Sequence, residues 1–434
     1  MNGFFECLEA LDNFFWSYIG FTLLLISGIY LTVVSKGFQF KVLLSAKACV
    51  KDLLHYSTKS SSRGIHPLKL YFASVSGMVG LGNIVGIITA ITIGGPGSLL
   101  WLWIASFPSM IVKYSEIYLG IRYRVANESG GYDGGPMFYL RKAFKNSKWV
   151  PLLSGVLLCI YGVEVFQFDV ISDTITDLCG CNKLYVVAAL LAIILYTVLG
   201  GVRRLSTFCG FLMPIFIVTY IGMCLWIVFH SLDALPGVLK EVFHSAFTGH
   251  SAIGGFAGSS VMCAAQQGTS KAVYSGDIGI GYDSIIQAET RAILPEQQAR
   301  LGIFSLLTDT FICSLSMLVV LVTGVWTTTM PPSQYVAIAL SKFFPHSNVF
   351  MATFLFIAGF TTIVAFLTVG VKSAQYISKK HGKLVYLCLA VCSFVFFSFF
   401  EQEKALLMMS LAAVFLILLN ISGIVRLRAF IRFK

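Results

Sequence analysis

The chain has 434 residues, of which 57% are hydrophobic and 12% charged, which leaves too little polar surface for a water-soluble globule of this size. Its formal charge of +11 does not signal nucleic-acid binding, because the basic residues sit in short loops between apolar runs and do not gather on one soluble face. The composition indicates an all-α, multi-pass integral membrane protein whose first partner is the lipid bilayer. Most of the eleven cysteines are scattered singly in apolar segments, where a thiol behaves as a small hydrophobe. Cys179 and Cys181, one residue apart, are poorly spaced for a disulfide.

In chain order, about eleven runs approach the ~20 residues needed to cross hydrocarbon. They cover 14–35, 68–93, 98–121, 151–177, 184–200, 208–230, 252–290 (interrupted), 300–324, 347–371, 383–399 and 405–425. The first run follows the acidic MNGFFECLEALDN, with no basic n-region, and is read as a retained helix and not a cleaved signal peptide. With the N-terminus outside, 26 of the 31 Lys and Arg residues fall on the inner side and 4 on the outer, while Lys113 lies within a span. This bias predicts an N-outside, C-inside topology in a plasma membrane, such as a bacterial inner membrane.

The stretch Ser76–Gly86, SGMVGLGNIVG, stands out within the second run, because it carries glycines, a serine and an asparagine where a plain spanning helix would carry leucine. A backbone interrupted at that depth needs partners for its freed N–H and C=O groups, and an ion and a small polar solute are the usual ones. The alternative is close helix packing through small residues. The fourth run holds Glu164, Gln167, Asp169, Asp173 and Asp177, a costly set for a membrane helix. At about 100° per residue, Glu164 and Gln167 share one face and the three aspartates form a stripe on roughly the other. The stripe faces a wetted vestibule or pairs with other helices. Glu164 is either a cation-coupling carboxylate or a buried acid without a transport role. Lys113 and Glu116, spaced i,i+3, read as a salt bridge or gate, and Asp309 as a hydrogen-bond partner of a neighbouring helix.

From Leu81 to Arg124 the chain resembles the signature region of the alanine/glycine:cation symporters, and the likeness continues in GGYDGGPMFYL (Gly130–Leu140), LGGVRRLS (Leu199–Ser206), IGGFAGSS (Ile253–Ser260) and LPEQQARLGIFSLLTDTFICS (Leu294–Ser314). The resemblance implies a leucine-transporter type of fold: two five-helix inverted repeats, each opened by a broken helix, behind one extra N-terminal helix. The expected divisions are 1–66 for the extra helix and basic linker, 67–231 and 232–426 for the repeats, and 427–434 for a basic tail. It also implies symport of a small neutral amino acid, of alanine or glycine type, with sodium or alternatively protons as the coupling cation. No cofactor is expected beyond a co-transported sodium ion, and no obligate protein partner is evident.

Under that resemblance the unwound N–H groups of Leu81 and Gly82 suit a substrate carboxylate. Gly77, Gly80 and Asn83 line the same stretch, and Asn83 serves the substrate pocket, a second cation site or interhelical contact. Similarity to the wider leucine-transporter class gives sodium the backbone oxygens of Ser76 and Val79 and the hydroxyls of Thr361 and Thr362. Threonines in helices also bond back to their own turn. Gln167 matches a glutamine that the family places near substrate. The facing half of the pocket departs from the family: where FSNEAGMGSAP is usual, this chain has YSGDIGIGYDS, placing Tyr274, Ser275 and Asp277 at the break and a second acid at Asp283. Phe366, four residues after Thr362, replaces a tryptophan, which leaves room for a substrate larger than alanine. The competing classes are a channel and an integral-membrane enzyme. The enzyme would need an acid/base pair such as Glu164 with Asp309, and no Walker loop is present for ATP.

Overall fold

The computed structural model describes residues 2–47, 49, 63–128, 130–251, 253, 256, 258–400 and 402–433. Residues 51–62 of the basic linker and Gly254, Gly255 and Ala257 of the IGGFAGSS string lie outside the described residues. The chain is a bundle of helices, as its continuous apolar runs require when every backbone N–H and C=O has to be satisfied without water. Six described helices are long and apolar enough to cross a membrane, and seven if the bent pair around Ser76–Gly86 counts as one span.

The chain opens with α1 (Asn2–Phe14), which continues through a π-helical turn into α2 (Phe21–Val34), twelve residues earlier than the apolar run suggests. After α3 (Phe38–Leu44) comes the first broken span, α4 (Pro67–Met78) and a second half, Gly82–Gly94, made of a π-helical turn (Gly82–Gly86) and α5 (Ile88–Gly94); the two halves bend by 52°. The next helix, α6 (Ser98–Arg122), is central and packs chiefly on two later helices. A two-stranded hairpin of β1 (Val125–Ala126) and β2 (Tyr132–Asp133) and the short α7 (Pro136–Ala143) close that end of the bundle. The fourth run is itself broken, into α8 (Trp149–Tyr161) and α9 (Val165–Cys179), so Glu164 caps α9 and does not sit within a continuous helix as the phase argument assumed.

The chain continues with α10 (Lys183–Leu199) and α11 (Gly201–His230). Beyond them come α12 (Leu235–Thr248), the second broken span formed by α13 (Val261–Ser275) and α14 (Tyr282–Ile286), and α15 (Pro295–Val322), which with α13 makes the main packing partners of α6. The short α16 (Pro332–Ser341), α17 (Ser347–Ile377), α18 (Gly382–Phe397) and α19 (Glu403–Arg426) complete the chain. Prolines open α4, α7, α15 and α16 within their first turn, where the missing N–H costs nothing. Two aspartates of the stripe pair with other segments: Lys183 on α10 bridges Asp169 at 2.9 Å and Asp173 at 2.6 Å, and Gln402 donates to Asp169 at 3.0 Å.

The two broken spans meet directly. Tyr282, at the start of α14, donates its hydroxyl to the Ala73 carbonyl of α4 at 2.8 Å, and its ring lies so close to Gly77 that a Cβ there would overlap it. For Gly77 the small-residue packing alternative therefore holds.

Candidate functional site

The first break is held open by side chains standing in for the lost helical bonds. Asn83 Oδ1 accepts from Gly80 N at 3.2 Å, while its Nδ2 donates to Asp309 Oδ1 on α15 at 2.6 Å and to Cys313 Sγ at 3.1 Å. Asn83 thus staples the break to α15, and Asp309 also accepts from Ser275 Oγ at 3.0 Å across the second break. That places Asn83 in interhelical contact, as one of the sequence alternatives had it, and Asp309 where it was expected. Leu81 N–H lies 3.5 Å from Gln167 Oε1, at the outer limit of a hydrogen bond.

The glycines divide by what surrounds them. A Cβ on Gly80 would stand 2.8 Å from both Gln167 Oε1 and Thr362 Oγ1, so this position needs glycine for close approach. No other side chain or distant backbone lies within 4 Å of a Cβ built on Gly82, which faces open space.

The second break runs from Gly276 to Gly281, with left-handed backbone at Asp277 (φ 46°), Gly279 (φ 74°) and Gly281 (φ 108°). Its freed groups are satisfied by α6 and α19. Lys113 Nζ donates to Gly276 O at 2.8 Å and Asp277 O at 3.1 Å; Glu116 accepts from Gly279 N at 3.1 Å; Asn420 donates to Gly279 O at 2.9 Å. The ammonium of Lys113 also bridges Asp283 Oδ2 at 2.7 Å, with both side chains 0% exposed. This corrects the Lys113–Glu116 salt bridge expected from i,i+3 spacing: both residues turn to the second break, because unpaired backbone in a dry interior is the stronger demand. Asp283 also accepts from Ser74 Oγ, so it is buried structure and not pocket lining.

Between the breaks lies a cavity lined by Gly77, Met78, Gly80, Gly82, Asn83, Tyr161, Glu164, Gln167, Tyr274, Ser275, Asp277 and Phe366. The sequence-predicted Gly77, Gly80, Gly82, Asn83, Gln167, Tyr274, Ser275, Asp277 and Phe366 all come together there, while Leu81 and Thr362 are not among the lining residues and reach it only through their contacts with Gln167 and Ser76. Tyr161 was missed. It ends α8, donates its hydroxyl to Asp277 Oδ1 at 2.9 Å, and meets Phe366 edge-on at 5.3 Å, with Tyr282 stacked on the same ring at 4.6 Å. The signal that could have exposed it was Gly162 with Glu164, a weak interruption inside an apolar run. The cavity has ≈ 30 Å³ of room for water-sized centres, enough for about two waters.

Of the residues proposed for sodium, Ser76 and Thr362 are brought together: Thr362 Oγ1 lies 2.8 Å from Ser76 O, and 2.9 Å from Ala358 O on its own helix. Thr361 turns elsewhere, to Ile357 O at 2.8 Å and Ala358 O at 3.1 Å, beside Met213 Sδ. Val79 is fully buried at the end of α4.

The model of the sodium:alanine symporter family matches residues 1–433. An uncharacterized transporter of Bacillus subtilis, YflA, is 30% identical over 88% of this chain and 83% of its own length. A probable sodium/glutamine symporter of the same organism, GlnT, is 28% identical over 87% of this chain and 78% of its own. Among solved structures, MhsT in complex with L-phenylalanine superposes with a TM-score of 0.58 at 14% identity, covering 85% of this chain and 90% of that one, a likeness of fold of the leucine-transporter type.

Proposed function

The chain belongs to the sodium:alanine symporter family, and from that premise we propose that it couples the inward movement of sodium to that of a neutral amino acid by alternating access. Its family and relatives are transporters and not enzymes. The observation that carries the reading is the convergence of two helix breaks on one cavity, with backbone donors on one side and acids and a hydroxyl on the other. The Leu81 and Gly82 N–H groups suit the carboxylate of the substrate. The Asp277 carboxyl suits its ammonium, and the open space at Gly82 and the Phe366 ring suit its side chain. Ser76 O and Thr362 Oγ1 form half of a hard-oxygen set for sodium, with Val79 O at the end of α4 and Thr361 one residue away in sequence as further candidates.

Filling the sodium site would stabilise the kinked α4 end that receives substrate, so the two ligands would bind with positive coupling. A relative named for glutamine, together with Phe366 in the place of a tryptophan, favours an amino acid larger than alanine over alanine itself. The cavity in this conformation is contracted, and the two breaks would separate to admit any amino acid. The distribution of Lys and Arg supports an N-outside, C-inside orientation in a plasma membrane.

The test is uptake of labelled glycine, alanine, serine and glutamine into proteoliposomes under separate sodium and pH gradients. Accumulation under a sodium gradient is expected. Failure of every amino acid to accumulate under either gradient would remove the symport reading, and equal uptake without a gradient would make the protein a facilitator.

A further inference from the structure

Gln167 occupies part of the pocket with its own amide. Its Oε1 faces Leu81 N at 3.5 Å, where the proposed site would place a substrate carboxylate oxygen, and its Nε2 donates to Glu164 Oε2 at 3.1 Å. The amide lies close against Gly80, as the 2.8 Å and 3.3 Å separations of its oxygen and nitrogen from a Cβ there require. Glu164, 5% exposed, lines the cavity at the α8–α9 break. The titratable groups that face it are Tyr161 on α8, Tyr274 and Asp277 at the second break and Tyr386 on α18, and none of them is cationic.

The hydrogen-bond inventory ties these two side chains into one device. An ionised carboxylate only accepts, so it requires the NH₂ of Gln167 and thereby turns the amide oxygen toward Leu81. A protonated carboxyl can donate as well as accept, so it also allows the amide oxygen to take its O–H, and a substrate carboxylate beside Leu81 N–H favours that second arrangement. The amide then turns over and presents its NH₂ to the Gly80–Leu81 side, beside the backbone donors that await a carboxylate.

We propose that Glu164 is a positioning residue whose protonation frees the Gln167 amide to turn from a plug on Leu81 N–H into a donor to the substrate carboxylate, so that one proton from solvent binds together with the amino acid. This rests on the amino-acid reading above. Linkage fixes the sign: substrate binding favours the protonated acid, so the apparent affinity for the amino acid rises as pH falls, by at most about tenfold per pH unit for one linked proton.

The test measures KM and maximal rate for labelled alanine and glutamine in proteoliposomes of the full chain at saturating sodium, from about pH 5.5 to 8. In the unsubstituted protein KM is expected to fall as the pH is lowered. Glu164→Gln, whose amide can donate as the acid does, is expected to keep a low KM that no longer changes with pH. Glu164→Asp is expected to restore a slope, and Gln167→Leu to give a high, flat KM although Glu164 still titrates. A flat KM in the unsubstituted protein, or an unchanged slope in Glu164→Gln, overturns the proposal. A surviving slope in Gln167→Leu overturns it as well, since Glu164 would then act on substrate directly, and this variant decides the matter if Glu164→Gln does not fold. Absence of any uptake removes the transport reading and this proposal with it, whereas uptake with a pH-independent KM removes this proposal alone.

Discussion

Replacing Gly80 by alanine tests whether the first break is shaped for a ligand or merely interrupted. The added Cβ would lie 2.8 Å from Gln167 Oε1 and 2.8 Å from Thr362 Oγ1, so each oxygen has to retreat by roughly half an ångström to reach an ordinary carbon–oxygen contact of about 3.3–3.6 Å. Neither is free to do so. Thr362 sits on a long helix with its hydroxyl between Ser76 O and Ala358 O, and Gln167 is tied to Glu164. Overpacking of this kind costs about 1–3 kcal/mol, which is roughly 5–150-fold if it falls on the ligand-bound state. The expected outcome for Gly80→Ala is a rise of that order in both the KM for amino acid and the sodium concentration for half-maximal uptake, because one methyl presses on both sites. Gly82→Ala is the control, since the structure leaves that Cβ unopposed. It is expected to fold like the parent and to raise KM for glutamine more than for glycine by narrowing the cavity. Thermal unfolding in detergent separates folding losses from site losses. Unchanged constants in a folded Gly80→Ala protein, or identical behaviour of the two variants, would refute the reasoning.

The buried pair offers a second test: Lys113→Met strands Asp283 and two carbonyls, and about 3–5 kcal/mol of stability is expected to be lost. Adding Asp283→Asn is expected to recover part of it, as read by thermal unfolding, and a single variant that melts with the parent would show the pair to be dispensable. For the cation, Thr362→Ala is expected to weaken sodium dependence of uptake strongly and Thr361→Ala weakly, since only the former hydroxyl reaches Ser76 O; the reverse order would move the site. At the end of the bundle that carries the hairpin, Lys372 Nζ joins Glu289 at 2.6 Å and Asp133 at 2.9 Å, tying α17 to β2 and to the turn after α14. Glu289→Gln is expected to loosen that closure and to speed thiol labelling of an Ala288→Cys probe, and unchanged labelling would argue that the closure lies elsewhere.

How far the sequence could be read depended on whether a feature was local. The two main breaks were legible because glycine clusters in an apolar run are improbable as plain helix, and the cavity residues on them came with the breaks. The α8–α9 break was not, because Gly162 is a lone glycine and the acids after it fit a helical phase well enough to hide an interruption. Lys113 was misread for a related reason. Spacing along one helix names Glu116 as its neighbour, but no spacing rule sees that Gly276 and Asp277 on another helix have carbonyls to satisfy. Asp283 was misjudged through the same blindness to long-range partners. As a departure from the family string it looked like altered pocket chemistry, yet it is fully buried, spends its charge on Lys113 and accepts from Ser74. Asp277, Tyr274 and Phe366, which depart from the family, and Glu164 all touch the cavity. Two of these four are acids with no cation bonded to their side chains among the described residues. A wall of that kind suits a ligand that brings positive charge with it, as the ammonium of the amino acid in the proposed symport does.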